Sequence, residues 1–96
     1  MPRATVLGFN VPVATTGRVR LLGMAFLDRV EAGEGLLIPR CRSVHTFAMR
    51  FALDLVFLAA DGRVVELRRG VPPRRLVRCR AADAVLELPA PARPTP

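Results

Sequence analysis

Two apolar runs separated by an Asp-Gly pair constrain the fold of this chain more than any other feature. Residues 51–59 are rich in Leu, Val and Phe, and residues 64–67 form a second apolar run after the sequence Ala-Asp-Gly-Arg at 60–63. Asp-Gly between two strand-like runs is a strong short-range signal for a β-hairpin, because glycine accepts the positive φ of tight hairpin turns. The sequence therefore predicts an antiparallel hairpin here.

Shorter apolar runs on both sides extend this pattern into a β-rich fold. Further strands are predicted at residues 5–9, 36–38, 76–77 and 85–88, with Gly70, Pro72 and Pro73 in one of the turns between them and one helical turn within residues 80–84. The apolar residues from Val19 to Leu27 are spaced like one face of a helix. We expect a mainly β fold of the β-rich α+β class, with a small curled antiparallel sheet or half-barrel and one covering helix.

The length of 96 residues fits one domain, which we predict at residues 1–90, followed by a proline-rich disordered tail at 91–96. The first residues lack the pattern of a signal peptide, and no apolar stretch reaches the roughly 20 residues that span a bilayer. We therefore expect a cytoplasmic protein whose two cysteines, Cys41 and Cys79, are reduced.

The formal charge of +7 first suggests nucleic acid or another acidic partner. All fifteen basic residues are arginine, which we interpret as coding bias rather than selection for a partner. The five aromatic residues are phenylalanines in mostly apolar contexts, so the sequence offers little for base stacking. Nucleic acid is therefore not the expected partner, although a basic nucleic-acid-associated protein remains an alternative.

A group of polar residues inside and just before the central apolar run is the candidate site. It contains the only histidine of the chain, and its members are Arg42, His45, Thr46, Arg50 and Asp54. Arg50 and Asp54 are four residues apart, so a strand places them on one face as an ion pair or as the polar end of a pocket. His45 joins them only if the chain bends at residues 46–48. Arg50 then offers a two-pronged fork to an anion.

A second interpretation gives Cys41 the role of a nucleophile paired with His45, since these residues are four apart and neighbouring arginines favour a thiolate. The sequence provides no evident third group to orient the histidine. Cys41, His45 and Cys79 lack the paired spacing of a zinc site, so we expect neither a metal nor a cofactor.

The residues from Cys41 to Val65 resemble the central motif of the uncharacterised family DUF192, also called UPF0127. The resemblance covers roughly residues 11–90 and implies a compact β-rich domain, without an established activity to carry over. The family pattern His-Thr-x-x-Met-Arg-x-x-x-Asp falls on His45, Thr46, Met49, Arg50 and Asp54. The chain departs from the family after Pro89, where the usual Ala-Gly continuation is replaced by the tail.

The function expected from these features is that of a small, non-catalytic binding or accessory domain. Its ligand would be small and polar or anionic, held by Arg42, His45, Thr46, Arg50 and Asp54. A small Cys/His-dependent enzyme and a basic nucleic-acid-associated protein are the alternatives. The sequence defines neither the ligand nor the oligomeric state.

Overall fold

The computed structural model describes residues 2–14, 35–46, 49 and 51–91. All the secondary-structure elements in these ranges are β-strands. In chain order the strands are β1 (Arg3–Val6), β2 (Phe9–Pro12), β3 (Leu36–Pro39), β4 (Ser43–His45), β5 (Leu53–Leu58), β6 (Val64–Val71), β7 (Leu76–Arg78) and β8 (Ala84–Pro89). The predicted helix from Val19 to Leu27 lies outside the described residues, so the covering helix has no support. The described ranges include no helix long and apolar enough to cross a membrane.

Four strands form a central antiparallel sheet in the order β3-β8-β5-β6. β5 lies inside this sheet, and its side chains alternate between the two faces. Leu53, Leu55 and Phe57 enter one apolar cluster, whereas Val56 and Leu58 enter another. Burial on both faces explains why the sequence of β5 is a nearly continuous apolar run.

The Asp-Gly hairpin that joins β5 to β6 is confirmed. Gly62 has a φ of 90°, and its N–H donates to the carbonyl of Ala59 at 2.9 Å. Asp61 accepts a hydrogen bond from the main-chain N–H of Arg63 at 3.0 Å and forms an exposed ion pair with the same residue at 2.8 Å. Local turn chemistry therefore fixes this connection.

A two-stranded sheet lies against each face of the central sheet. β1 pairs with β2, and Val11 of β2 packs in the smaller cluster with Val56 and Leu86. β4 pairs with β7, and Val44 and Val77 pack in the larger cluster on the opposite face. We call the second of these sheets the β4–β7 ribbon. The prediction of a mainly antiparallel β fold is confirmed.

The described strands form open sheets rather than the single curled sheet or half-barrel that was predicted. After β2 the chain follows the edge of β3, where Val13 forms a parallel bridge with Leu37. The N–H of Ala14 also donates to the carbonyl of Leu37 at 2.9 Å. One edge of β3 is paired with β8. The bridge therefore joins the β1–β2 layer to the opposite, outer edge of β3.

Two turns differ from the sequence prediction. The predicted opening strand is interrupted by Leu7 and Gly8, which have φ values of 50° and 84° and make the tight turn between β1 and β2. The apolar character of Leu7 hid this turn. At residues 80–84 the structure has a turn closed by the N–H of Ala82 and the carbonyl of Cys79 at 3.1 Å, and the chain then enters β8 without a helical turn.

Candidate functional site

The candidate site is the outer face of the β4–β7 ribbon. Val44 and Val77 are paired with each other, and both are buried in the larger cluster. Because side chains alternate across a strand, their neighbours point away from the core. These outward neighbours are Ser43 and His45 on β4 and Leu76 and Arg78 on β7, and all four are exposed.

Main-chain hydrogen bonds extend the ribbon by one residue at each end. The N–H of Cys79 donates to the carbonyl of Arg42 at 2.8 Å, next to the paired residues Ser43 and Arg78. At the other end the N–H of Thr46 donates to the carbonyl of Arg75 at 2.9 Å. Arg42 and Arg75 are exposed and lie at opposite ends of the ribbon.

Basic side chains follow the ribbon from end to end. Neither residues 40–46 nor residues 72–82 include an Asp or Glu. Among the described residues, Arg63 pairs with Asp61 and Arg68 with Glu66, and no described carboxylate pairs with an arginine of the ribbon. We call this surface the basic face: His45, Leu76 and Arg78 point outward from the ribbon, and Arg42, Arg74, Arg75 and Arg80 are exposed at its two ends.

Thr46 lies beneath the basic face and is fully buried. Its hydroxyl donates to the carbonyl of Pro72 at 2.7 Å and accepts a hydrogen bond from the N–H of Arg75 at 2.9 Å. The carbonyl of Thr46 also accepts a hydrogen bond from the N–H of Arg74 at 3.1 Å. Thr46 therefore holds the loop between β6 and β7, and it positions the two arginines of that loop.

Two of the three residues of the predicted bend, 47 and 48, lie outside the described residues, but a hydrogen bond joins the residues on either side of them. The N–H of Met49 donates to the carbonyl of Thr46 at 3.2 Å, three residues back along the chain. Met49 is buried in the larger cluster, as expected for an apolar filler. The chain therefore leaves the β4–β7 ribbon at Thr46 and returns to the core by Met49.

Asp54 lies on β5 and binds the main chain of β6. Its Oδ1 accepts a hydrogen bond from the N–H of Gly70 at 2.8 Å. Gly70 lies within β6 and not in the turn where the sequence placed it, and it has a φ of 63°. The register between β5 and β6 shifts at this point, so Gly70 belongs to a β-bulge and Asp54 is its hydrogen-bond acceptor.

The structure brings only part of the predicted site together. Arg42 and His45 share the β4–β7 ribbon, and Thr46 supports it from below. Alternation along β5 places Asp54 on the side of Val56, the face of the central sheet that is opposite the ribbon. Arg50, with its predicted ion pair to Asp54, lies outside the described residues.

Cys41 lies half-buried just before the ribbon, packed against the larger cluster. Its thiol donates a hydrogen bond to the carbonyl of Ser43 at 3.1 Å. Cys79 is buried in the same cluster, and neither cysteine is in a disulfide. In the described ranges no three His, Cys, Asp or Glu side chains are placed to hold a metal ion.

Sequence reasoning missed Glu87, which is the most unusual ionisable group of the described core. It lies on the inner strand β8 between its paired neighbours Leu36 and Leu55 and is only 2% exposed. Its Oε1 has no hydrogen-bond partner among the described residues. Burial raises the pKa of Glu87 from 4.5 to about 7. The available signal was a single Glu inside the apolar run Val-Leu-Glu-Leu at 85–88.

Two solved structures of similar fold were found. One is a protein of unknown function from Novosphingobium aromaticivorans, with a TM-score of 0.70, 19% identity, and coverage of 92% of this chain and 71% of the other. The second, from Sinorhizobium meliloti, is named "putative transcription regulator"; its TM-score is 0.71 at 21% identity, with 92% and 78% of the two chains covered. At these identities the likeness shows the fold alone. No curated protein matches the chain.

The family suggested by the central motif is also found by comparison with family models. The model of DUF192, described as an uncharacterised family, matches residues 2–92. This range includes both two-stranded layers and the whole central sheet. The chain therefore belongs to the DUF192 family.

Proposed function

We propose that this protein is a small, non-catalytic, cytoplasmic binding domain whose basic face holds a small polar or anionic ligand. The observation that carries the proposal is the charge of this face. Its exposed arginines have no carboxylate partner among the described residues, although two other arginines of the domain are paired. Positive charges that no described carboxylate neutralises attract an anion from solution.

The arrangement of His45 and Arg78 supports a shared anion site. His45 is paired directly with Leu76, so Arg78 is its diagonal neighbour on the same face of the ribbon. Diagonal neighbours in an antiparallel pair are about 7–8 Å apart, which leaves room for one oxyanion between two long side chains. The guanidinium of Arg78 offers two parallel N–H donors to such a group.

The remaining predicted residues have different roles in this proposal. Arg42 contacts the ligand at one end of the ribbon, and Arg50 keeps its predicted role as a ligand contact. Thr46 and Asp54 act through the main chain, because the side chain of each is hydrogen-bonded to the backbone of another element. Thr46 positions the loop of the basic face, whereas Asp54 stabilises the β5–β6 bulge on the opposite face, so neither binds the ligand.

Titration of the protein with inorganic phosphate, followed by NMR amide shifts, tests the proposal. We expect the largest shifts at His45 and Arg78, and we expect the Arg78→Ala and His45→Ala variants to lose them. Arg3→Ala is the matched control, since it removes the same charge from the layer on the opposite face, where Arg3 binds Asn10. Equal phosphate binding by Arg78→Ala and Arg3→Ala would contradict the proposal.

One structural neighbour favours the nucleic-acid alternative as a second candidate. Its name, "putative transcription regulator", belongs to that protein and not to this chain. The basic face provides what such a function needs, namely exposed arginines on a two-stranded element. The sequence offered only its net charge in support of this alternative.

A further inference from the structure

We infer that the anion held by the basic face is the phosphate backbone of duplex DNA, with the β4–β7 ribbon inserted in the major groove. The inference rests on the proposed anion-binding function and names the partner of that same site. Its support comes from the shape of the ribbon, the spacing of its arginines and the chemistry of its outward side chains.

The shape of the ribbon fits the groove. β4 and β7 pair with each other and with no other described strand, so they form an isolated two-stranded element. Paired strands lie about 4.8 Å apart, and the major groove, about 12 Å wide, admits a two-stranded β-ribbon. The inner side of the ribbon is fixed to the core by Val44 and Val77, which leaves its outer side for contact.

Basic residues at both ends of the ribbon suit a polyanion whose phosphate groups each have the small-anion chemistry proposed above. Arg78 lies on β7, whereas Arg74, with a φ of 67°, lies in the bend before this strand and Arg80 lies in the turn after it; all three are exposed. From Arg42 to Thr46 the ribbon is roughly 13 Å long at about 3.3 Å per residue, and Arg75 is hydrogen-bonded to Thr46 at the end opposite Arg42. A single phosphate does not extend over this length. Duplex DNA carries a charge about every 1.7 Å along its axis and supplies phosphates over this whole length.

The outward side chains of the ribbon suit base edges as well as phosphates. Arg78 is able to form the two-pronged contact with guanine that is common in the major groove, and Ser43, directly opposite, has a hydroxyl that bonds to several bases. Leu76 is 56% exposed at the centre of the face. An apolar side chain there is unfavourable in water, but it finds a partner in the methyl group of thymine.

The same features argue against other nucleic acids. Single-strand binding relies on aromatic side chains that stack on bases, and the basic face has none. Duplex RNA has a major groove too deep and narrow for side chains to read. Duplex DNA is therefore the nucleic acid that this ribbon fits.

Fluorescence anisotropy with a short labelled DNA duplex tests the inference on the full chain. The matching RNA duplex, polyglutamate and anionic lipid vesicles serve as competitors. We expect the DNA duplex to bind best. Arg78→Ala should weaken its binding roughly tenfold and reduce the slope of log affinity against log salt by about one, whereas Arg3→Ala leaves both nearly unchanged. Arg78→Lys should keep the salt slope but lose preference among duplex sequences.

The outcomes separate this inference from the proposed function. Equal binding of RNA, polyglutamate or vesicles overturns the DNA assignment, and so does an Arg78→Ala variant that binds DNA as tightly as Arg3→Ala. If either result appears while inorganic phosphate still shifts the amides of His45 and Arg78, the anion site stands and only its partner changes. If phosphate produces no such shifts and the duplex does not bind, both ideas fall. Melting curves of each variant show that it is folded.

Discussion

The carboxylate of Asp54 and the main-chain N–H of Gly70 form a hydrogen bond of 2.8 Å at the point where the register of β5 and β6 shifts. Leu53 is paired with Val71 and Leu55 with Arg68, so two residues of β6 lie opposite the single residue Asp54. Gly70 adopts a positive φ there. The side chain of Asp54 thus replaces a main-chain acceptor that the bulge removes from the ladder.

Replacement of Asp54 by Ala is expected to destabilise the protein by roughly 1–3 kcal/mol, because the N–H of Gly70 loses its acceptor within a half-buried part of the sheet. Asp54→Asn should cost less, since the amide oxygen still accepts the bond. Chemical denaturation of the two variants and the wild type measures the difference.

The control for this prediction is Asp61→Ala in the exposed hairpin turn. Asp61 also accepts a main-chain hydrogen bond, but its side chain is 58% exposed and its ion pair with Arg63 lies in water. Water compensates for its removal, so we expect a loss below about 1 kcal/mol. A loss for Asp61→Ala as large as that for Asp54→Ala would show that the bulge does not depend on the carboxylate.

Thr46→Val is expected to lower the melting temperature while it preserves the shape of the side chain. Valine lacks the hydroxyl, so the carbonyl of Pro72 loses its donor and the N–H of Arg75 loses its acceptor in a buried setting. Such losses cost roughly 1–3 kcal/mol per buried group. Thr46→Ser keeps the hydroxyl and should retain most of the stability and of the phosphate binding. A Thr46→Ser variant that folds normally but no longer binds phosphate would instead give Thr46 a direct role in the site.

The central hairpin and most strand positions were predictable because they depend on local sequence. The Asp61-Gly62 turn needs only a glycine with positive φ and an acceptor beside it. β5 is apolar on both faces because it lies inside a sheet. These properties depend on consecutive residues, so a short window of sequence is enough to predict them.

The site was less predictable because its geometry depends on residues far apart in the chain. The partners of Thr46 are Pro72 and Arg75, and no local pattern links these positions. The strand β4 was missed because Ser43 and His45 are polar and only Val44 points to the core. Three residues provide too little alternation for a strand to be distinguished from a loop. The family motif is a run of consecutive residues, so the sequence indicated the family. The exposed face depends on the pairing of β4 with β7, which the sequence did not indicate.

Two truncations that differ by only two residues, Ala90 and Pro91, are expected to have different effects on stability. Ala90 is buried, and its N–H donates to the carbonyl of Ala52 at 3.0 Å. Removal of residues 92–96 should leave the melting temperature almost unchanged, whereas removal of residues 90–96 should lower it by several degrees. Differential scanning fluorimetry of the two truncated chains provides the comparison. If the shorter truncation is as harmful as the longer one, the proline-rich tail stabilises the domain.

The buried carboxyl of Glu87 predicts how stability changes with pH. Its pKa is about 7 in the folded protein because burial disfavours the charged form, against 4.5 for the exposed group. Between these values the folded state keeps a proton that the unfolded state has lost. The contribution of protonated Glu87 to the free energy of unfolding is therefore fully present below pH 4.5. This contribution is lost as the pH rises through about 7. The total change is roughly 3 kcal/mol.

Glu87→Gln removes this titration and keeps a neutral side chain of nearly the same size between Leu36 and Leu55. We expect the variant to gain stability relative to the wild type as the pH rises from 5 to 8, with the difference measured by urea denaturation at each pH. Glu66→Gln is the matched control, because Glu66 lies on the edge strand β6 and pairs with Arg68 at the surface. That variant should keep the pH dependence of the wild type. A constant difference between Glu87→Gln and the wild type across this pH range would mean that Glu87 does not hold its proton in the folded core.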